Sequence, residues 1–288
     1  MKLVTIATHS DGYFTYLKRS CRRFHDELVV LGWEKEWTGY SFKLKLIQEY
    51  MRDLVDDEIL CFIDSFDVMM LRSLKELEEN FRHFSKHTGA RIAVGYDRSD
   101  SRLVRWVGKF QFGTCHGHAV NSGTYIGYVK DLRVMIDSIY SDPKLDDQRL
   151  MTEYASAHPN EVYVDTASLF FLTISKPWGG SFFDPTLMKV DDRLQLWYRG
   201  VRPFFAHGNG NTDLNELIKK LGYFMSYRFE WWIHKYHRKS FFRKAVWYGK
   251  ELLYWLLPLI LGIIIFLVAF IFIAYKVIRK LYKTYYPM

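Results

Sequence analysis

Cysteine is scarce: Cys21, Cys61 and Cys115 are the only three in 288 residues. Three thiols cannot pair completely, so a disulfide framework is excluded and a reducing compartment is favoured. No Asn-x-Ser/Thr sequon occurs, which points the same way. The N-terminus, MKLVTIATHSDG, has too short an apolar stretch to read as a secretory signal. Internal repeats and low-complexity linkers are also lacking. With 49% apolar and 25% charged residues, wholesale disorder is excluded. Residues 1–222 lack a charge excess, with 29 Lys/Arg against 30 Asp/Glu. The formal charge of +8 is therefore no nucleic-acid signature, and no nucleic-acid partner is expected. It arises in residues 223–288, where eleven Lys/Arg face two Asp/Glu.

Charge vanishes altogether from Leu252 to Tyr275, a run of 24 residues. As a helix it would span about 36 Å at ~1.5 Å per residue, against a hydrocarbon core of ~30 Å. A single-pass transmembrane helix is expected over 251–276, kinked at Pro258 and Gly262. A buried core helix is the alternative, disfavoured by the length of the run. In the preceding stretch, 223–250, Trp231, Trp232, Phe241, Phe242 and Trp247 alternate with Arg228, Lys235, Arg238, Lys239, Arg243 and Lys244. Rings and long cations both favour lipid headgroups, so this stretch reads as a membrane-interfacial collar. An amphipathic helix packed on the domain is the other reading. A short basic tail, 277–288, follows the span. Five Lys/Arg lie within 15 residues before it and four after, too even for the positive-inside rule to decide. The late position of the span and the unpaired thiols favour a tail anchor with the domain facing the cytosol.

Within residues 1–222, LVTIAT (3–8), ELVVLG (27–32), EILCFID (58–64) and RIAVGYD (91–97) read as strands. Helices are expected at 13–24, with a basic face, at 41–54 and at 73–85. This alternation indicates an open, mostly parallel α/β sheet flanked by helices. NSGTYIGYV (121–129) reads as a further strand, 131–140 and 146–157 as helices, and 162–174 as one or two strands. From Pro177 to Gly210, glycine, proline and aromatic residues dominate.

Ligands of such sheets sit beyond the carboxyl ends of the strands. Thr8, Asp64 and Asp97 end the first, third and fourth. Asp64-Ser65-Phe66-Asp67 is the sharpest feature, a DxD-like motif. Two carboxylates that close repel unless a cation lies between them, and a divalent metal bridging protein to diphosphate is the economical reading. The bland reading makes Asp64 a turn cap and Asp67 a solvated acid. Asp146-Asp147-Gln148 opens a helix, where acids also favour the macrodipole. His207-Gly208-Asn209-Gly210 allows close backbone approach and offers an imidazole, though a loop histidine is usually just that. Asn121-Ser122-Gly123 could equally be a plain turn.

Taken in order, these landmarks resemble the glycosyltransferase domain of the procollagen lysyl hydroxylases. The matches are VTIATHSDGY (4–13), LGWEKEW (31–37), ILCFIDSFDVM (59–69), VNSGTYIGY (120–128), the DDQ at 146–148 and HGNG (207–210). The resemblance implies a GT-A, Rossmann-like fold and a hexosyltransferase using a UDP-sugar. It implies that Asp64, Asp67 and His207 hold Mn²⁺, with Mg²⁺ the alternative, against the donor diphosphate. Thr8, Phe66 and Trp37 would border the uridine, and Lys43 would face the phosphates. Asn121, Asn209 and Gly210 would line the donor, and Asp146 and Asp147 would contact sugar or acceptor. The acceptor would be a hydroxyl on a glycan, protein or lipid at a membrane. Thr38-Gly39-Tyr40 replaces the family's glycine-rich stretch, Asp213 stands where a lysine is expected, and only two aspartates precede Gln148. Phe66 lacks the hydroxyl of the family tyrosine. These departures motivate a second expectation, a membrane-tethered pseudo-transferase that binds without turnover. The resemblance does not extend to a hydroxylase domain. A haloacid-dehalogenase-like phosphohydrolase needs aspartates at i, i+2 after the first strand, not i, i+3 after the third.

Overall fold

The computed structural model describes residues 1–99, 109, 112–140, 146–176, 180–230, 233, 246, 257 and 260–279. Two compact units divide the chain, Met1–Tyr236 and His237–Met288.

The first unit carries strands β1 (Lys2–Ile6), β2 (Val29–Leu31), β3 (Ile59–Ile63), β4 (Val68–Met70), β5 (Ile92–Tyr96), β6 (Arg98–Ser99), β7 (Val120–Tyr128), β8 (Val162–Asp165), β9 (Phe171–Ser175), β10 (Met188–Val190), β11 (Leu196–Tyr198) and β12 (Phe205–His207). Its helices are α1 (Phe14–Arg23), α2 (Tyr40–Met51), α3 (Leu74–Thr88), α4 (Val129–Ile139), α5 (Asp147–Ala157) and α6 (Asn215–Lys220). Six strands form the central sheet in the order β2-β1-β3-β7-β5-β8. All pairings are parallel except those of β7, which runs against both neighbours. The expected mostly parallel, GT-A-like α/β architecture is met.

Strand β3 shows why this sheet is central. All five residues are buried, and successive side chains face opposite sides. Leu60 and Phe62 enter one core with Val4, Ile47 and Leu132. Ile59, Cys61 and Ile63 enter the other with Leu17, Leu77 and Phe81. Ser73 caps helix α3: its Oγ accepts from Glu76 N at 3.3 Å and donates to Glu76 Oε1 at 3.4 Å. It ends at Gly89, whose φ of 79° suits only glycine without strain.

A second, four-stranded sheet, β4-β12-β9-β6, was not expected. Its strands run from two to five residues, too short for a period to show. Strand β12 pairs antiparallel with β4, setting His207 opposite Val68, and parallel with β9, setting His207 beside Thr173. The 162–174 run is two strands, β8 and β9, joined by a turn built on Asp165. That carboxylate accepts from the amides of Leu169, Phe170 and Phe171 at 2.8, 2.7 and 2.8 Å. Burial pushes its pKa up to about 6, and the three amides oppose that rise. Asp165→Ala orphans two buried donors, Phe170 N and Phe171 N, each worth roughly 1–3 kcal/mol, and the part-buried Leu169 N. The expected outcome is a loss of about 3 kcal/mol or more, read by denaturant unfolding; an unchanged midpoint would contradict it.

The first unit continues past the boundary at 222 read from composition. Met225 and Ile233 are buried in one core with Tyr13, Phe182 and Leu217, and Tyr223 and Phe229 pack against them. The beginning of the 223–250 stretch is therefore a packed flank of the domain. Trp231, Trp232, Lys235, Arg238, Lys239, Phe241, Phe242, Arg243, Lys244 and Trp247 lie outside the described residues, as does Pro258. In the second unit, Ile260–Arg279 is a 20-residue helix of mean hydropathy 2.7 with none of its apolar window buried. Residues 280–288 of the basic tail lie outside the described residues.

Candidate functional site

Asp64 follows β3 directly, and Asp67 precedes β4. The DSFD turn is pinned from two sides. Tyr13 N donates to Phe66 O at 2.6 Å, and Gly208 N donates to Asp67 O at 2.8 Å. Gly12 faces this turn so closely that a Cβ on it would stand 2.4 Å from Phe66 O, and its φ is +50°. Because β12 is zipped to β4, His207 is delivered to the turn from about 140 positions away. One ligand atom from each of Asp64, Asp67 and His207 lies within 4.8 Å of the others. His207 Nε2 is 3.3 Å from Asp67 Oδ1 and 3.9 Å from Asp64 Oδ2. Burial alone would lower the imidazole pKa, but the Asp67 and Asp64 carboxylates outweigh it and hold it above its usual value.

These residues fit a divalent cation. His207 is 1% exposed; among the described residues its Nδ1 has no hydrogen-bond partner, and its Nε2 faces only the Asp67 and Asp64 carboxylates. Buried polar atoms are rarely left so. Gly123 keeps the space beside them open: a Cβ there would stand 2.3 Å from Asp64 Oδ2 and 2.6 Å from His207 Cε1. Two carboxylates and an imidazole form a mixed oxygen and nitrogen donor set of the kind that holds a divalent cation.

Lys43 links this cluster to the second acidic pair. Its buried Nζ lies 3.4 Å from Asp64 Oδ1, 2.9 Å from Asp147 Oδ2 and 3.2 Å from the Ser122 carbonyl it donates to. Burial would lower the ammonium pKa, but Asp147 and then Asp64 reverse the sign and raise it. Asp147 is itself 3% exposed. Asp146 instead caps α5, accepting from Gln148 N at 2.9 Å. Burial, and next the Asp147 charge, raise its pKa.

The remaining expected residues fall around this centre in different ways. Asn121 Oδ1 accepts from Gly123 N at 3.0 Å, bracing the glycine that faces the metal-type cluster. Asn209 Nδ2 donates to Asp97 Oδ2 and Ser175 Oγ, both at 3.2 Å, so its amide braces the turn after His207. Gly210 follows with φ 70°. Thr8 Oγ1 is 2.8 Å from His9 Nδ1, and the Phe66 ring meets those of His9 and Phe14 at 5.6 and 6.4 Å. Trp37 is 48% exposed and touches Phe42 edge-on, without a described contact to the cluster. Asp213 accepts from the Tyr13 hydroxyl at 3.1 Å and from Asn215 N at 2.6 Å, holding the start of α6. Ser175 and the buried Tyr125 beside Lys43 escape the reading of single motifs, and Gly123 enters it only as part of the Asn121-Ser122-Gly123 turn, not as the residue that leaves the cluster room. A glycine inside an apolar strand was the one visible hint.

Fold and cluster together are those of a GT-A-type glycosyltransferase domain. Within that class the chain belongs to the PLOD GT domain family, whose model matches residues 1–237. The chain is 32% identical over 238 residues to a procollagen-lysine,2-oxoglutarate 5-dioxygenase of Drosophila melanogaster, covering 75% of this chain and 31% of that protein. It is 26% identical over 234 residues to the human multifunctional procollagen lysine hydroxylase and glycosyltransferase LH3, covering 74% and 30% respectively. The chain thus spans about a third of the length of these relatives. Among solved structures it is similar to a glycosyltransferase involved in glycosylation of the major capsid of PBCV-1, at 12% identity and TM-score 0.43, covering 77% of this chain and 99% of that one.

Proposed function

We propose that this domain is a divalent-metal-dependent transferase that moves a hexose from a UDP-sugar to a hydroxyl acceptor at a membrane. One observation carries the reading: two carboxylates and a buried imidazole converge beside a glycine that leaves them room. Asp64, Asp67 and His207 would hold Mn²⁺ or Mg²⁺. When bound, such an ion supplies Lewis-acid neutralisation of the diphosphate leaving group. Lys43 holds Asp147 and Asp64 in place and adds positive charge on the side where UDP departs. The bond from the anomeric carbon to the diphosphate breaks, a bond to the acceptor oxygen forms, and the hydroxyl proton is released. Asp147, fixed by Lys43, orients sugar or acceptor hydroxyls, and Asp146 stands beside it at the helix start. Thr8, Phe66 and Trp37 border the uridine, and Asn121, Asn209 and Gly210 shape the diphosphate side. Residues 1–236 form the catalytic domain, and the apolar helix Ile260–Arg279 tethers it to a membrane.

The test is a panel of UDP-hexoses hydrolysed with and without Mn²⁺. Asp64→Ala is expected to lower the metal-dependent rate by roughly 100-fold or more. Equal rates for variant and wild type would reject the reading. Asp213 favours a second one, a tethered binding module. Its carboxylate is engaged by Tyr13 and Asn215 where a cation is expected. That reading predicts UDP binding in the presence of Mn²⁺ without turnover of any donor.

A further inference from the structure

The basic face of α1 has no part in the reaction just described. Phe14, Tyr16, Leu17, Ser20 and Cys21 are its buried side. Lys18 lies half-buried, and Arg19, Arg22 and Arg23 are exposed. None of these four cations has an ion-pair partner among the described residues. Against this helix runs the segment that follows α6. Arg23 Nη1 donates to Leu221 O at 2.8 Å, and its guanidinium lies over the Tyr223 ring at 5.6 Å. The Tyr16 hydroxyl donates to Phe224 O at 3.0 Å. So anchored, the segment leaves Phe224 and Tyr227 81% and 82% exposed, with exposed Arg228 next in line. At the start of the helix Trp33 is 43% exposed, stacked on Phe14 at 5.8 Å with Lys18 Nζ 6.0 Å from its ring.

Large rings held that far into solvent beside cations without ion-pair partners form a surface suited to an anionic, partly apolar partner. Rings with long cations are the chemistry of the lipid headgroup layer, where apolar bodies sink and charges meet anionic lipid. The chain also carries its own apolar helix, Ile260–Arg279, with no part of its window buried. We propose that the basic face of α1, together with Phe224 and Tyr227, is a docking surface for an anionic bilayer. The docking rests on the tethered reading above, and it is independent of the donor site.

The experiment uses the full chain in liposomes of phosphatidylcholine alone or with about 30% phosphatidylserine. The native thiols are all buried, so Phe224→Cys takes a nitroxide label selectively. The label reports the ratio of collisions with oxygen to collisions with an aqueous nickel chelate. Anionic lipid is expected to raise that ratio roughly tenfold. Arg19→Glu with Arg22→Glu, or about 0.5 M NaCl, is expected to return it to the neutral-lipid value. Release of the chain by alkaline carbonate overturns the tether and the docking with it. Retention with equal ratios in both lipids overturns the docking alone. So does a DNA duplex or heparin that shields the label as well as anionic lipid does, since the patch would then be a general polyanion site.

Discussion

A single methyl group at position 123 is expected to weaken metal binding by about 100-fold while leaving the domain folded. The Cβ of Gly123→Ala would stand 2.3 Å from Asp64 Oδ2, 2.9 Å from Asp64 Cγ and 2.6 Å from His207 Cε1. No backbone strain complicates the substitution, because Gly123 lies within β7 and its φ is not in the left-handed region. The two neighbours can respond very differently. Asp64, with 38% of its side chain exposed, can swing toward solvent, whereas His207 at 1% cannot move without disturbing β12. Turning Asp64 toward solvent relieves only its own clash; the 2.6 Å approach to His207 Cε1 also forces a small shift of that ring or of β7, so both ligands leave their places. Isothermal titration with Mn²⁺ is expected to show affinity lowered by about 100-fold, the upper end of what disturbing ligand placement does. The thermal midpoint should fall by several degrees, corresponding to roughly 1–3 kcal/mol, with the fold retained. Wild-type Mn²⁺ affinity in this variant would mean that Asp64 and His207 do not share an ion.

How much of this centre could be seen in the chain beforehand depended on which interactions are local. The run Ile59–Ile63 is apolar throughout because both its faces are buried, and a sequence shows that directly. Asp64 and Asp67 announce themselves because like charges so close need an explanation. His207 is different. Its place is set by three ladder pairs between β12 and β4, and a three-residue strand carries no period to read. Only the order of landmarks, and the resemblance built on it, linked that histidine to the aspartates. Gly123 is subtler still, since inside a strand a glycine normally signals weak packing; here it is the absence of a side chain that serves the site. Residues 223–233 misled for a third reason. Rings and cations alternate along them, yet Met225 and Ile233 face the core while Phe224 and Tyr227 face out. Composition reports which residues are present, and tertiary packing decides which of them meet water.

Lys43 offers the second large effect, and it separates architecture from chemistry. Its ammonium is wedged between Asp147 and Asp64, with Phe62 at 4.8 Å beneath it. Removing the charge with Lys43→Met leaves Asp147, whose side chain is 4% exposed, as a buried carboxylate without its cation. Breaking a buried pair in this way costs about 3–5 kcal/mol, a drop of roughly 10 °C for a domain of this size. Asp147→Leu added to Lys43→Met removes the stranded charge, and apolar replacements of whole buried pairs are often neutral. The double variant is therefore expected to regain most of the lost stability, with a coupling of roughly 2–3 kcal/mol in the cycle. Activity should not return with it, because both the group that orients hydroxyls and the cation beside the leaving group are gone. Melting curves and UDP-hexose turnover on the same four proteins decide the matter. If the double variant melts no higher than Lys43→Met, the pair is not the coupled buried unit that the geometry implies. If it melts like wild type and also turns over donor, Lys43 and Asp147 hold the fold together and take no part in transfer.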